Sequence, residues 1–142
     1  MMSRFYLTTA IDYVNSRPHL GTAYEKITAD VIARYHRLKG VRTHFLMGND
    51  EHSQNVFRRA REQGLEPLAY CDGMEREFRD VWARLDISFD DFIRTTEPRH
   101  RDAVAEMVRR IADRGDLYDG YYEGPSRDTM LLTISLRITH PL

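Results

Sequence analysis

Segments with the composition of β-strands alternate with segments of helical periodicity, and this alternation constrains the fold more than any other feature of the sequence. Runs of aromatic and β-branched residues, which are typical of strands, lie at residues 4–10, 43–48 and 92–94. Apolar residues three and four positions apart predict helices over residues 21–38, 53–63, 67–85 and 98–114. Strands and helices in this order form parallel sheets of right-handed βαβ units. The sequence therefore predicts an α/β fold with a parallel sheet and flanking helices.

Two helices carry an apolar stripe along one face. In the first, the stripe consists of Tyr24, Ile27, Val31, Tyr35 and Leu38. In the third, it consists of Cys71, Met74, Phe78, Trp82 and Leu85. We expect both stripes to face the core, with Tyr24, Tyr35 and Trp82 as core residues. Thr95 and Thr96 are expected to supply a hydroxyl N-cap to the fourth helix, which has Pro98 in its first turn.

The composition is that of a globular chain and excludes several functional classes. Hydrophobic residues make up 42% and charged residues 30% of the 142 residues, which matches one soluble domain. The net charge of −1 gives no bulk attraction to nucleic acid, and no run approaches the ~18 apolar residues of a membrane span. The one cysteine, Cys71, forms neither an internal disulfide nor a thiolate zinc cluster. We therefore expect a cytoplasmic protein without a membrane partner or a metal site.

The chemistry is expected at the carboxyl ends of the strands, where open parallel sheets bind ligands. The segment from Ala10 to Tyr13 reaches this edge and leads to His19, Gly21 and Thr22 at the start of a helix. An imidazole, a hydroxyl and the unpaired N–H groups of a helix N-terminus all donate hydrogen bonds to phosphate oxygens, and a glycine lets a nucleotide approach the backbone. This combination favours a nucleoside triphosphate site.

An acidic cluster, Asp50, Glu51 and His52, follows the second strand at the same edge. Three roles compete for it: a metal ligand set, an acid–base group, or an anchor for a substrate ammonium. Metal binding is the weakest of these, because adjacent residues on a turn point in divergent directions. For Glu51 alone, a solvated or helix-terminal carboxylate is favoured over a site role.

Tyr13 is placed to stack on a substrate at the site edge. The cluster of Arg58, Arg59 and Arg61 offers phosphate contacts to an RNA, but a solvent-exposed helix face is the more common role of such a cluster.

Four blocks of the sequence closely resemble, in order, the start of the methionyl-tRNA synthetase family. They run from Phe5 to Asn15, from Pro18 through Tyr35, from Phe45 to His52, and from Asp91 to His100. The resemblance covers residues 4 to about 124. It implies an incomplete Rossmann-like fold of the class I synthetase type, with residues 1–124 as the N-terminal half of the nucleotide-binding catalytic domain.

The resemblance also implies a function and a set of roles. Members activate methionine with ATP and Mg²⁺ to methionyl-adenylate and transfer it to the methionine tRNA. By resemblance, His19 and Thr22 are catalytic, and ATP is bound by His19, Gly21, Thr22 and Glu25. Ile11, Tyr13 and Asp50 are the residues expected to hold methionine.

Three departures from the family pattern stand out. Thr22 replaces the usual second histidine of the signature motif, and a hydroxyl is a shorter donor. Residues 125–142 match nothing expected there and contain no cysteine, so we interpret them as a divergent tail from a frameshift or truncation and expect no zinc site. The run from Met130 to Ile138 is compatible with a last strand. The second half of the fold, its Lys-Met-Ser-Lys-Ser loop and the anticodon-binding domain are missing.

These departures leave two alternatives to an incomplete or inactive synthetase fragment. One is a small nucleotidyltransferase. The other is a non-catalytic module that binds ATP or methionine, or that associates with another chain through its exposed sheet edge.

Overall fold

The computed structural model describes residues 3–117, which form four strands and four helices. In chain order these are β1 (Arg4–Thr8), β2 (Asp12–Tyr13), α1 (Leu20–Leu38), β3 (Arg42–Asp50), α2 (Gln54–Glu62), α3 (Pro67–Arg84), β4 (Asp91–Arg94) and α4 (Pro98–Asp113). The predicted helices and the three predicted strands are all present. The tail and the last strand considered for Met130–Ile138 lie outside the described residues.

Strand β3 is the centre of the sheet, and all its pairings are parallel. It pairs with β1 and β2 along one edge and with β4 along the other. Parallel pairing with helical crossovers confirms the expected Rossmann-like α/β fold. The carboxyl ends of β2, β3 and β4 therefore lie at one edge of the sheet.

The first strand is interrupted, which the sequence did not indicate. Thr8 pairs with Leu46 and Asp12 pairs with Asn49, so three residues, Thr9–Ile11, lie opposite only two residues of β3. The strand thus carries one extra residue, as in a β-bulge, which bends the strand and redirects its side chains. Tyr13 lies in the short strand β2 beyond the bulge.

The core lies on the sheet face that carries Phe45, Met47 and Phe92. Side chains of α3 pack there, and Trp82 is completely buried, as predicted. Leu85 is different: it is the C-cap of α3 and is 39% exposed, because the helix ends there and Asp86 turns the chain with a φ of 53°. The prediction that Leu85 extends the buried stripe is therefore wrong.

The apolar stripe of α1 faces solvent, so the prediction that Tyr24 and Tyr35 are core residues is also wrong. All five stripe residues are exposed, Tyr24 to 73% and Leu38 to 87%. The buried face carries two alanines and two charged residues: Lys26, Ala29, Asp30 and Ala33. The predicted helix is present, but it buries a different face. The alanines let this face approach the sheet closely, and its two charged side chains have ionic and hydrogen-bonding partners on that side.

The packing divides the chain into two compact units after His100. Strands β1–β4 and helices α1–α3 belong to the first unit. Most of α4 belongs to the second; none of its residues is buried, and Glu106 pairs with Arg109 and Arg110. Within residues 3–117, no helix is both long and apolar enough to cross a membrane.

Candidate functional site

His19 caps the N-terminus of α1 with its own side chain. Its backbone is extended, and its ring Nδ1 accepts hydrogen bonds from the N–H of Gly21 at 3.1 Å and of Thr22 at 3.3 Å. Two of the N–H groups that were expected to be free for an anion are therefore already paired. Because Nδ1 accepts, a neutral ring carries its proton on Nε2, which is left as a donor.

Gly21 lies directly against the capping ring. A Cβ at this position would lie 3.1 Å from Cε1 and 3.2 Å from Nδ1 of His19. Contacts this short are tighter than ordinary van der Waals contact, so the ring would have to shift by a few tenths of an ångström to keep the cap. The glycine of the His-x-Gly pattern thus serves the geometry of the histidine, in addition to any contact with a ligand.

A cavity of about 250 Å³ lies between the bulged first strand and the start of α1. Ile11 and Tyr13 line it from the strand side, and His19 and Thr22 line it from the helix side. The volume is below the roughly 300–1,000 Å³ typical of pockets for drug-sized ligands, which favours a ligand as small as an amino acid. Four of the predicted site residues are thus brought together.

Asp50 is close in register but does not line this cavity. It is the last residue of β3 and lies directly opposite Tyr13. Its Oδ1 accepts a hydrogen bond from the N–H of His52 at 3.0 Å, which holds the carboxylate at the end of the strand. Only the backbone of His52 contacts Asp50. The imidazole of His52 contacts Thr95 instead, with Nδ1 at 3.0 Å from Oγ1.

Glu25 points back to the bulge. Its Oε1 accepts from the N–H of Ala10 at 2.8 Å and its Oε2 accepts from Lys26 Nζ at 2.9 Å. Burial alone would raise the pKa of Glu25, but the Ala10 N–H and Lys26 outweigh it, so the pKa lies below its ordinary value. Both oxygens already hold one partner, so a further ligand contact would use the remaining lone pairs.

Glu51 is buried in an ionic network, and the expectation of a solvated or helix-terminal carboxylate is wrong. Its side chain is 0% exposed; Oε1 lies 2.7 Å from Arg94 Nε, and Oε2 accepts from the Thr96 hydroxyl. Arg94 also binds Asp72 at 2.6 Å. Burial alone would lower the pKa of Arg94, but the hydrogen bonds to Glu51 and Asp72 raise it above its ordinary value.

The same network corrects the predicted cap of α4. The Thr95 hydroxyl accepts from the Glu51 N–H at 2.9 Å, and the Thr96 hydroxyl donates to the Glu51 carboxylate. Both threonine hydroxyls therefore connect the ends of β3 and β4 and do not cap α4. No local pattern in the sequence identifies this network, because its hydrogen bonds join residues 43 and 45 positions apart.

The remaining candidate residues, the arginine cluster and Cys71, do not line the cavity. Arg58 and Arg59 pair with Glu62 of their own helix, and all three arginines of the cluster are exposed, as a solvent-facing helix would have them. Burial raises the pKa of the Cys71 thiol to about 11. Among residues 3–117, no group of three or more histidine, cysteine, aspartate or glutamate side chains gathers as a metal site.

A parallel sheet with helical crossovers and a helix N-terminus beside the carboxyl ends of its strands is the architecture of a nucleotide-binding α/β domain. The family model described as tRNA synthetases class I (M) matches residues 5–131, and the chain belongs to this family. The match extends past residue 124, where the sequence suggested that the resemblance ends.

The relatives within this family are methionine–tRNA ligases. The chain is 48% identical over 124 residues to Methionine–tRNA ligase of Fusobacterium nucleatum and 46% identical over 124 residues to that of Thermosynechococcus vestitus. The two alignments cover 87% of this chain but only 20% and 23% of the relatives. The solved structure of Mycobacterium tuberculosis methionyl-tRNA synthetase in complex with methionyl-adenylate matches with a TM-score of 0.80 at 43% identity, covering 82% of this chain and 23% of that one. The resemblance stated from the sequence is confirmed, and the chain spans about a fifth of the length of the curated relatives it matches.

Proposed function

We propose that this chain is the N-terminal part of the catalytic domain of a methionine–tRNA ligase and that its cavity binds the methionine side chain. The observation that carries this proposal is the cavity itself, which joins Ile11 and Tyr13 to His19 and Thr22 at a helix N-terminus. The names of the relatives and the methionyl-adenylate in the solved Mycobacterium tuberculosis structure support it. In this proposal residues 1–124 belong to the N-terminal half of the domain; the family match continues to residue 131, and the divergent tail is the part of residues 125–142 that follows it.

Each site residue has one role in the proposed activation step. Ile11 and Tyr13 hold the methionine side chain, and Asp50 accepts hydrogen bonds from the methionine ammonium. A methionine carboxylate oxygen attacks the α-phosphorus of ATP, the bond to the bridging oxygen breaks, and pyrophosphate leaves. The negative charge on the phosphate oxygens is met by donors that are already in place.

His19 and Thr22 are the proposed donors at that point. His19 offers its Nε2–H, because Nδ1 is occupied by the helix cap. Thr22 offers one hydroxyl where the family pattern has a second imidazole, so it reaches less far. Gly21 leaves room for the ring, and in this proposal Glu25 contacts the adenosine through the lone pairs that Ala10 and Lys26 do not use.

The remaining chemistry comes with the substrates or with the rest of the enzyme. Mg²⁺ would be held largely by the triphosphate, as is usual for this ion in nucleotide sites. The tail contains no cysteine, so a zinc site in this chain is not proposed. We propose that transfer to the methionine tRNA needs parts of the enzyme that the relatives carry outside the aligned region, and that the protein works in the cytoplasm.

Titration of the purified chain with methionine and with a methionyl-adenylate analogue tests the proposed site. We expect the variant Tyr13→Ala to weaken the binding of both by about tenfold, because a ring that stacks on a ligand contributes roughly 1–1.5 kcal/mol. Tyr6→Ala is the matched control, since Tyr6 is a strand tyrosine of similar exposure, 61% against 56%. Equal effects of the two substitutions, or no heat with either ligand for the unsubstituted chain, would contradict the proposal.

A specific observation also favours the second candidate, association with another chain. Within the described residues β1 pairs only with β3, so its outer edge is open, and the neighbouring α1 exposes its whole apolar stripe. Exposed patches of this kind mark interaction surfaces or aggregation sites. We propose that the occupant is the part of the catalytic domain that the relatives carry beyond the aligned region. The family match gives no support to the small nucleotidyltransferase.

Sedimentation velocity tests this association. Val31→Glu places one charge in the centre of the stripe, and we expect it to abolish binding of the complementary half-domain while leaving the circular dichroism spectrum unchanged. Gln54→Glu adds the same charge at an exposed position of α2 and should leave binding unchanged. Binding that survives Val31→Glu would refute the stripe as the docking surface.

A further inference from the structure

Lys26 is a cation with no solvent contact at the margin of the cavity. Its side chain is 0% exposed, and its Nζ lies 2.8 Å from Ala10 O, 2.9 Å from Glu25 Oε2 and 3.1 Å from Asp12 Oδ2. Two of its three N–H donors make hydrogen bonds, to Ala10 and Glu25, and Asp12 is a further ion-pair partner. A lysine this deep is retained only when it is fully paired.

The partners of Lys26 converge on the peptide of Ala10 in the bulge. The Ala10 carbonyl accepts from Lys26, and the Ala10 N–H donates to Glu25, which itself binds Lys26. Bulged residues lose their ladder partners and need others. Here, both backbone groups of Ala10 are satisfied by two consecutive side chains of α1.

Asp12 ties the ammonium to the far side of the bulge. Burial, the largest influence, raises the pKa of Asp12, and the attraction of Lys26 only partly offsets this. Lys26 therefore binds the bulge at Ala10 and β2 at Asp12, on either side of Ile11. Tyr13, the next residue of β2, lines the cavity together with Ile11.

We propose that Lys26 is a positioning residue for the amino-acid cavity: its buried ammonium sets the bulge at Thr9–Ile11 and thereby places Ile11 and Tyr13 against the ligand. The ligand part of this inference rests on the proposed function, while the structural part does not. Loss of the ammonium leaves the Ala10 carbonyl without a donor and two carboxylates without their shared cation. The bulge then has no fixed register against α1.

Amide hydrogen exchange in the 142-residue chain tests the structural part. The variant Lys26→Met keeps an unbranched apolar stem and removes the charge. We expect exchange of the Ala10 N–H to accelerate by tenfold or more, with core amides such as Ala33 and Met47 unchanged. Arg37→Met is the matched control, because it removes a cation near the other end of α1, where Arg37 binds Ser88 and Asp90. Exchange at Ala10 that stays within twofold of the unsubstituted chain would overturn the inference.

The double variant Lys26→Met with Asp12→Asn covers the case in which the single variant does not fold, since it removes one carboxylate charge along with the ammonium. We expect the double variant to fold and to show the same rapid exchange at Ala10. If both variants unfold while Arg37→Met stays folded, Lys26 supports the whole fold and a role confined to the bulge is refuted.

Ligand discrimination separates positioning from stability. Norvaline has a side chain one heavy atom shorter than that of methionine, and the ratio of the two dissociation constants does not depend on the folded fraction. We expect Lys26→Met to reduce the ratio of the dissociation constant for norvaline to that for methionine by about tenfold. Arg37→Met should leave this ratio unchanged. An unchanged ratio in Lys26→Met would refute the placement of Ile11 and Tyr13 by Lys26. If the unsubstituted chain fails to bind methionine, the proposed function fails, and exchange at Ala10 still decides the role of Lys26 in the bulge.

Discussion

Replacing His19 with asparagine separates two roles that one imidazole holds at the start of α1. Nδ1 caps the helix by accepting from Gly21 and Thr22, and Nε2 is left as the proposed phosphate donor. Asparagine is among the best N-cap residues but has no donor at the position of Nε2. Alanine removes both functions, so the pair His19→Asn and His19→Ala distinguishes them.

The expected magnitudes differ for stability and for binding. Loss of an N-cap side chain costs about 1 kcal/mol, which lowers Tm by roughly 4 °C in a domain of this size, so only His19→Ala should be destabilised. A hydrogen bond to a charged phosphate contributes about 1.5–3 kcal/mol, so both variants should bind a methionyl-adenylate analogue that retains the α-phosphate roughly 10- to 150-fold more weakly.

Thermal denaturation measures the contribution of the cap to Tm, and calorimetric titration of the same samples measures the affinity for the adenylate analogue. Unchanged affinity in His19→Asn would refute the donor role, and the site would then hold phosphate by other groups. Equal Tm values for His19→Asn and His19→Ala would refute the cap as a contribution to stability.

Three further outcomes follow from the buried polar groups. Asp30, whose pKa is lowered because Ser88 and Arg34 outweigh its burial, stabilises the fold above its unfolded pKa of about 3.9 and loses this contribution as the pH falls through its folded pKa. Urea unfolding should therefore show that Asp30→Asn has a free energy of unfolding about 1.5–3 kcal/mol below that of the unsubstituted chain at pH 7, and that this difference is smaller at pH 3. A difference of the same size at both pH values would contradict the lowered pKa of Asp30. Glu51→Gln should cost about 3 kcal/mol, because Arg94 is left without its buried partner, whereas Glu66→Gln at an exposed position should cost under about 0.5 kcal/mol. The Cys71 thiol should resist a thiol reagent at pH 7.5 until urea unfolds the chain, and rapid reaction of the folded protein would be inconsistent with its burial and raised pKa.

The sequence sufficed for elements whose signals are local. The helices follow from the spacing of their apolar residues, and the pairing of His19 with Gly21 pointed to a helix N-terminus that the structure confirms. The pairing of Thr96 with Glu51 could not be foreseen, because it joins residues 45 positions apart and neither residue type specifies a partner. The bulge was missed for a related reason: its Ala10 peptide is satisfied by side chains of a different element.

The charged residues on the buried face of α1 explain why the inward face was misjudged. A stripe of Tyr24, Val31 and Leu38 is the better apolar surface, yet Ala29 and Ala33 face the core because Lys26 and Asp30 have their partners on that side. Turning the helix to bury the stripe would carry both charged groups away from Ala10 and Ser88, and each unpaired ion would cost several kcal/mol. The orientation of α1 is therefore set by ionic pairing, which joins Lys26 to the bulge and leaves the apolar stripe of the helix exposed.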